Sequence, residues 1–190
     1  MTAPAATMQR AALAMPFFAV RALLDMGVPA GLVAGLTGAG WLGRMRVTER
    51  GGLWREDPAG AWRLLLGVGD RDGWLIDVLA ISSADPDSWS LLTGDGWLLG
   101  WGQVEDAALV DPEIAPVLRM HARPIDWLRA GGEGACLLDY GRGALGELRA
   151  LGPAVELACE DDKAAAALAG LLQWGGLPRC VVPRNEWKAA

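Results

Sequence analysis

The chain has 190 residues and a formal net charge of −6, enough for one domain or two small lobes burying roughly 70% of the unfolded surface. Hydrophobic residues make up 52% of it, which excludes wholesale disorder, and no apolar run approaches the roughly 18–20 residues that a membrane span needs. The three cysteines lie outside any CxxC or Cys/His cluster and there is a single histidine, His121, so a zinc centre or a His-based triad is disfavoured and buried, inert thiols in a cytoplasmic protein are expected.

In chain order, residues 1–40 read as helical, with a break at Gly27-Val28-Pro29 and a short second segment from Ala30 to Leu36. Leu13, Phe17, Val20 and Leu24 fall on one helical face and predict an amphipathic core helix. No small-residue cleavage site follows, so this is not read as a secretory signal.

From Trp41 to Val104 short apolar runs alternate with Gly-Asp turns at Gly69-Asp70, Asp72-Gly73 and Asp95-Gly96. This is the pattern of an antiparallel meander. Seven of the ten tryptophans, Trp41, Trp54, Trp62, Trp74, Trp89, Trp97 and Trp101, lie here. They are expected to pack inside or to form a protein interface rather than a base-stacking platform, because the later ones sit among acids. Gly38-Ala39-Gly40-Trp41-Leu42-Gly43 matches GxGxxG in letters. The stretch that follows is too short and too punctuated for the helix that a nucleotide loop requires.

Charge is unevenly spread. Residues 76–115 hold Asp77, Asp85, Asp87, Asp95, Glu105, Asp106, Asp111 and Glu113 and no basic side chain. Such a segment repels a phosphate backbone, so nucleic-acid contact is expected to be weak or indirect, a protein partner is favoured, and the segment reads as a solvated acidic face. Arginine far outnumbers lysine among abundant Ala, Gly and Leu, a texture of GC-rich bacterial genomes.

Pro112 to Pro124 reads as a connector, followed by a short helix, Ile125 to Ala130, and a glycine loop. A regular alternation then begins: strand Ala135 to Tyr140, helix Gly143 to Leu151, strand Ala154 to Cys159, helix Asp162 to Trp174 and strand Arg179 to Pro183. Continuous apolar strands alternating with helices predict a parallel sheet. The expected fold is α+β, with a helical, Trp-rich antiparallel lobe over residues 1–115 and a small three-layer α/β lobe over residues 116–190.

The candidate chemistry lies at the strand ends of this second lobe. Asp139 closes one strand, and Glu160 and Asp162 follow the next, two residues apart. If these strands are neighbours, three carboxylates meet at one sheet edge, where hard oxygens suit Mg²⁺ and the ion can engage phosphate. Asp139, Glu160 and Asp162 are therefore both the metal-ligand and the catalytic candidates. A plainer alternative is that Asp161 or Asp162 caps the following helix.

The run of strand, Glu160-Asp161-Asp162, Lys163-Ala164, alanine-rich helix and RCVVPRNEW resembles the second half of a toprim domain, the metal-binding fold of bacterial and phage primases, topoisomerases and related nucleases. The resemblance implies that Glu160 and Asp162 take the places of the family's Asp-x-Asp, and Asp139 that of the glutamate ending its first motif strand. The chain departs from the pattern in having Asp for Glu, Tyr140 where a glycine is expected, and Glu160 for Asp. It implies a degenerate toprim-like accessory of DNA replication or processing, weakly catalytic or non-catalytic, from a phage or other mobile element. The stretch from Ala154 to Val182 also resembles the opening of a response-regulator receiver domain, which ranks second because the later receiver strands have no room. The alternative function is a non-enzymatic protein-interaction module.

Overall fold

The computed structural model describes residues 3–109, 116–172 and 179–181. Helices α1 (Ala3–Leu13), α2 (Phe17–Asp25) and α3 (Ala30–Gly38) precede strands β1 (Leu42–Arg50), β2 (Leu53–Glu56), β3 (Ala61–Gly69), β4 (Leu75–Ile81) and β5 (Trp89–Leu91). There follow β6 (Leu98–Leu99), α4 (Trp101–Leu109), β7 (Val117–His121), α5 (Pro124–Arg129) and β8 (Ala135–Leu137). Helix α6 (Arg142–Ala150), β9 (Glu156–Cys159), α7 (Asp162–Leu172) and β10 (Arg179–Val181) complete an α+β fold.

Two compact units form, Met1–Gly96 with Arg123–Gly132, and Trp97–Ala122 with Glu133–Ala190. The division thus falls after Gly96 and not at residue 115. Leu98 and Leu99 pair with Leu137 and Cys136 of the second unit, so the run read as the end of the meander belongs elsewhere. Helix α5 belongs to the first unit because Arg123 and Arg129 tie it there. Arg123 pairs with Asp126 and, at 2.7 Å, with Asp87, while Arg129 donates to the Met26 carbonyl at 2.8 Å.

In the first unit the strands close into a barrel in the order β1-β2-β5-β4-β3. The four hairpin-type pairings are antiparallel, and the barrel is shut by a parallel contact of Leu53 with Leu91. Met8 and Ala11 of α1 join Met45, Val47, Trp54, Leu65 and Val78 in its core. Helix α1 can lie so close because β1 carries Gly43, where a Cβ would come within 2.7 Å of Ala11. The GxGxxG letters therefore serve packing: a strand, not a helix, follows them.

The expected amphipathic helix through residues 11–20 is instead two helices. Proline at 16 lacks an N–H and excludes a helical residue before it, so α1 ends at Leu13 and α2 starts at Phe17. The predicted buried face is lost with the break: Leu13 is 86% and Phe17 81% exposed, whereas Ala19 and Leu23 are buried.

Most of the tryptophans are also less buried than expected. Trp54 is enclosed, donating its indole N–H to the Val78 carbonyl at 2.8 Å, and Trp101 is buried in the second unit. Trp62 and Trp74 are exposed, and Trp41, Trp89 and Trp97 are half-buried. Alternation along β3 turns Trp62 outward, where Arg44 and Arg46 cover its ring instead of the core.

Asp77 departs most from the solvated acidic face. It stands in β4 with no solvent exposure. Its Oδ1 accepts from the backbone N–H groups of Val78, Leu92 and Thr93 at 2.7, 3.0 and 2.9 Å. Its Oδ2 accepts from those of Gly94 and Gly96 at 2.8 and 2.9 Å. The loop after β5 is wound around one carboxylate, and Gly96 is required there because a Cβ would sit 2.6 Å from that of Asp77.

The second unit is a five-stranded sheet in the order β10-β9-β7-β8-β6. The strands predicted at 135–140, 154–159 and 179–183 do run parallel: β9 with β10 directly, and β8 with β9 through β7, only the edge strand β6 being antiparallel. Helices α4, α6 and α7 pack on the face carrying Leu118, Met120, Leu137, Leu157 and Cys159. The correction is at the centre. The segment read as a connector holds β7, the middle strand of the sheet, between β8 and β9.

Candidate functional site at the C-terminal edge of the parallel sheet

Ligand sites in parallel α/β sheets lie beyond the carboxyl ends of the strands. Here those ends are His121 of β7, Cys159 of β9 followed by Glu160, and, two residues past β8, Asp139. Because β7 intervenes, β8 and β9 stand two strand spacings apart, roughly 9–10 Å, and the neighbour of Glu160 is His121 rather than Asp139.

His121 is the best-enclosed polar group of the edge, its side chain 1% exposed. Its Nε2 lies 2.9 Å from the Glu133 carbonyl oxygen. A carbonyl only accepts, so Nε2 carries the hydrogen. Nδ1 faces Glu160 Oε1 at 3.7 Å, an ion pair whenever the ring holds its second proton. His121 thus links the Glu133 backbone to Glu160.

The other acids have separate tasks. Asp139 is exposed, with Oδ2 lying where it would come within 2.8 Å of a Cβ at Gly141, the N-cap of α6. A carboxylate there complements the helix dipole. Asp161 accepts from the Ala164 N–H at 2.7 Å and so caps α7, while Asp162 is an exposed first-turn residue. Capping therefore falls to Asp161. Asp161→Ala should cost about 1 kcal/mol in thermal or urea unfolding, with or without divalent ions.

Mg²⁺ requires oxygen ligands in near-octahedral array. Among the described residues, no three His, Cys, Asp or Glu side chains are grouped to hold a metal ion. The structure brings His121 and Glu160 together and does not gather Asp139, Glu160 and Asp162 into one ligand set. As arranged, Glu160 faces His121 and Asp161 caps α7.

Beside this edge lies a cavity of about 440 Å³, lined by Met120, His121, Leu137, Tyr140, Cys159 and Leu168 among others. Burial, aided by Cys136 and Cys159, pushes the Tyr140 phenol up, leaving it a neutral donor. Burial, then Cys180 and the acids Glu160 and Asp161, pushes the Cys159 thiol from its ordinary value near 9 up to about 12. An acid whose folded value is raised stabilises the fold fully below the unfolded value, and loses that contribution as pH rises from 9 towards 12. At about pH 8 Cys159 should resist iodoacetamide in the folded protein and react only after unfolding, as read by mass spectrometry.

Two of these features carried little signal in the sequence. His121 was visible only as a lone histidine, although a five-residue run between Pro116 and Pro124 has room for a strand. Asp77 is a charge inside the apolar run LIDVLAI, with Gly94-Asp95-Gly96 after the next strand, and a charge so placed is the mark of a buried carboxylate capturing backbone N–H groups.

No protein-family model matches the chain, and no curated protein matches it in sequence. In three dimensions it is similar to the Aquifex aeolicus primase, in a crystal structure of the zinc-binding and RNA polymerase domains, with a TM-score of 0.57 and 13% sequence identity. The match covers 90% of this chain and 51% of that one, so the chain spans about half the length of its structural neighbour. The chain has a primase-like fold.

Proposed function

We propose that the second unit, Trp97–Ala122 with Glu133–Ala190, is a degenerate toprim-like domain and that the protein is an accessory of DNA replication or processing with at most weak chemistry of its own. The observation that carries this reading is the residue ending the central strand. His121 is enclosed, bound to the Glu133 carbonyl and turned towards Glu160, so an imidazole stands where a phosphoryl-transfer site would want an oxygen ligand for a hard cation. The primase-like fold supports the assignment to replication, and the strand-end placement of Glu160 and Asp162 supports the toprim-like one.

The test is synthesis and cleavage on single- and double-stranded DNA with millimolar Mg²⁺ or Mn²⁺, comparing the wild type with Glu160→Ala. Equal product from the two supports the proposal. Metal-dependent product lost in Glu160→Ala would instead make the edge a working active site. An origin in a phage or other mobile element belongs to the same reading, and neighbouring replication genes would support it.

A second reading, a protein-interaction module without chemistry, is favoured by the apolar corner between α1 and α2, where Leu13 and Phe17 stand exposed. Neighbouring virion structural genes would favour that one.

A further inference from the structure

The first unit holds a second cavity, of about 210 Å³, walled by Ala22, Leu23, Met26, Leu64, Ile81 and Ile125. At its lip the Arg44 guanidinium lies 4.8 Å from the centre of the Phe18 ring and 4.4 Å from that of Trp62, with Arg46 5.0 Å from the same indole. Ser82, which is buried, and Ser83 also line it. Two other arginines of this unit pair with carboxylates: Arg63, which also lines the cavity, with Glu49 at 2.6 Å, and Arg10 of α1 with Glu56 at 2.8 Å. Among the described residues no carboxylate pairs with Arg44.

We propose that this cavity binds a small ligand with a compact apolar body and a terminal carboxylate, the body filling the cavity and the carboxylate lying on Arg44. Contact with two aromatic rings restrains the guanidinium before any ligand arrives, which lowers the ordering cost of binding. The N–H edge of an arginine held this way matches a carboxylate bidentately. The mostly apolar walls favour a hydrocarbon body over a sugar or polar chain. The volume is below the roughly 300–1,000 Å³ of drug-sized sites, so the body is about the size of one amino-acid side chain. Two sources present this chemistry, a free aryl or alkyl carboxylic acid and the C-terminal apolar residue of a peptide.

Isothermal titration of the full chain with 4-phenylbutyrate, with the tetrapeptide N-acetyl-Gly-Ser-Leu-Phe, and with the corresponding amides of both distinguishes them. At least one carboxylate should bind saturably at one site, with its amide and the Arg44→Gln variant each about ten-fold weaker or more. Tighter binding of the tetrapeptide identifies a chain terminus as the source, and tighter binding of 4-phenylbutyrate a free acid. Ala22→Phe, at an exposed position of α2 lining the cavity, should fill the space and abolish binding while leaving the fold intact. No saturable binding of either carboxylate up to about 10 mM overturns the proposal. So does equal affinity for acid and amide, or an Ala22→Phe protein that binds as the wild type does. If Arg44→Gln fails to fold, the amide comparison and Ala22→Phe still decide.

Discussion

Asp77→Ala should destabilise the barrel unit by about 3–5 kcal/mol, read as a lowered urea midpoint, a loss comparable with the whole stability of a marginal domain. The carboxylate has no solvent exposure and satisfies five backbone N–H groups, those of Val78, Leu92, Thr93, Gly94 and Gly96. The Leu92 N–H also donates to the Val78 carbonyl at 3.0 Å, but alanine leaves the others without the carboxylate, and each one left buried and unmet costs about 1–3 kcal/mol. The loop after β5 can open to solvent and recover part of the loss, which is why the expected total lies well below five full penalties. Asp77→Asn separates the hydrogen bonds from the charge. One amide oxygen can still serve Val78, Leu92 and Thr93, but the NH₂ group would face the N–H groups of Gly94 and Gly96. A loss of about 2–3 kcal/mol is expected for it. Asp77→Ala melting within about 0.5 kcal/mol of the wild type would mean that the loop holds without the carboxylate.

Legibility along the sequence follows from how many independent constraints each segment satisfies. The strands ending at Leu137 and Cys159 are readable because buried parallel strands are mostly apolar. Ala135–Leu137 is buried throughout, Glu156–Cys159 has a half-buried Glu156 before three buried residues, and each strand is set off by a helix with its own periodicity. Strand β7 satisfies the same packing but hides it. Arg119 breaks the apolar run, prolines 116 and 124 bracket it, and five residues are too few to show a period. Without that strand Asp139 and Glu160 look adjacent, whereas β7 stands between β8 and β9. The barrel was visible as short strands with Gly-Asp turns, but its closure was not. The pairing of Leu53 with Leu91 is parallel and made by a single residue pair, which leaves no pattern in either strand. The broken helix was misread for the opposite reason: Leu13, Phe17, Val20 and Leu24 keep a helical period across a proline that prevents the helix.

The placing of His121 against Glu160 predicts that His121→Glu makes the protein metal-responsive. His121 is enclosed, with Glu160 Oε1 3.7 Å from Nδ1 and the Glu133 carbonyl 2.9 Å from Nε2. Glutamate there removes the donor to that carbonyl and sets a second carboxylate against Glu160 in a site with little water. The loss expected without divalent ions is about 3–5 kcal/mol. A divalent cation reverses the electrostatics, because the two carboxylates become oxygen ligands and binding to the folded state alone stabilises it by mass action. Millimolar Mg²⁺ or Mn²⁺ should therefore raise the Tm of His121→Glu and leave that of the wild type unchanged. His121→Gln is the control, since its amide N–H₂ can still donate to the Glu133 carbonyl without adding charge, and it should lose less stability and ignore the metal. A wild-type Tm that climbs with Mg²⁺ would sink this reading of the edge, because Glu160 would then be serving a cation while His121 is still present. A His121→Glu protein that ignores metal would show instead that oxygen at the central strand is not enough. The deficit would then lie in the spread of the acids, with Asp139 beyond β7 and Asp161 committed to the cap of α7.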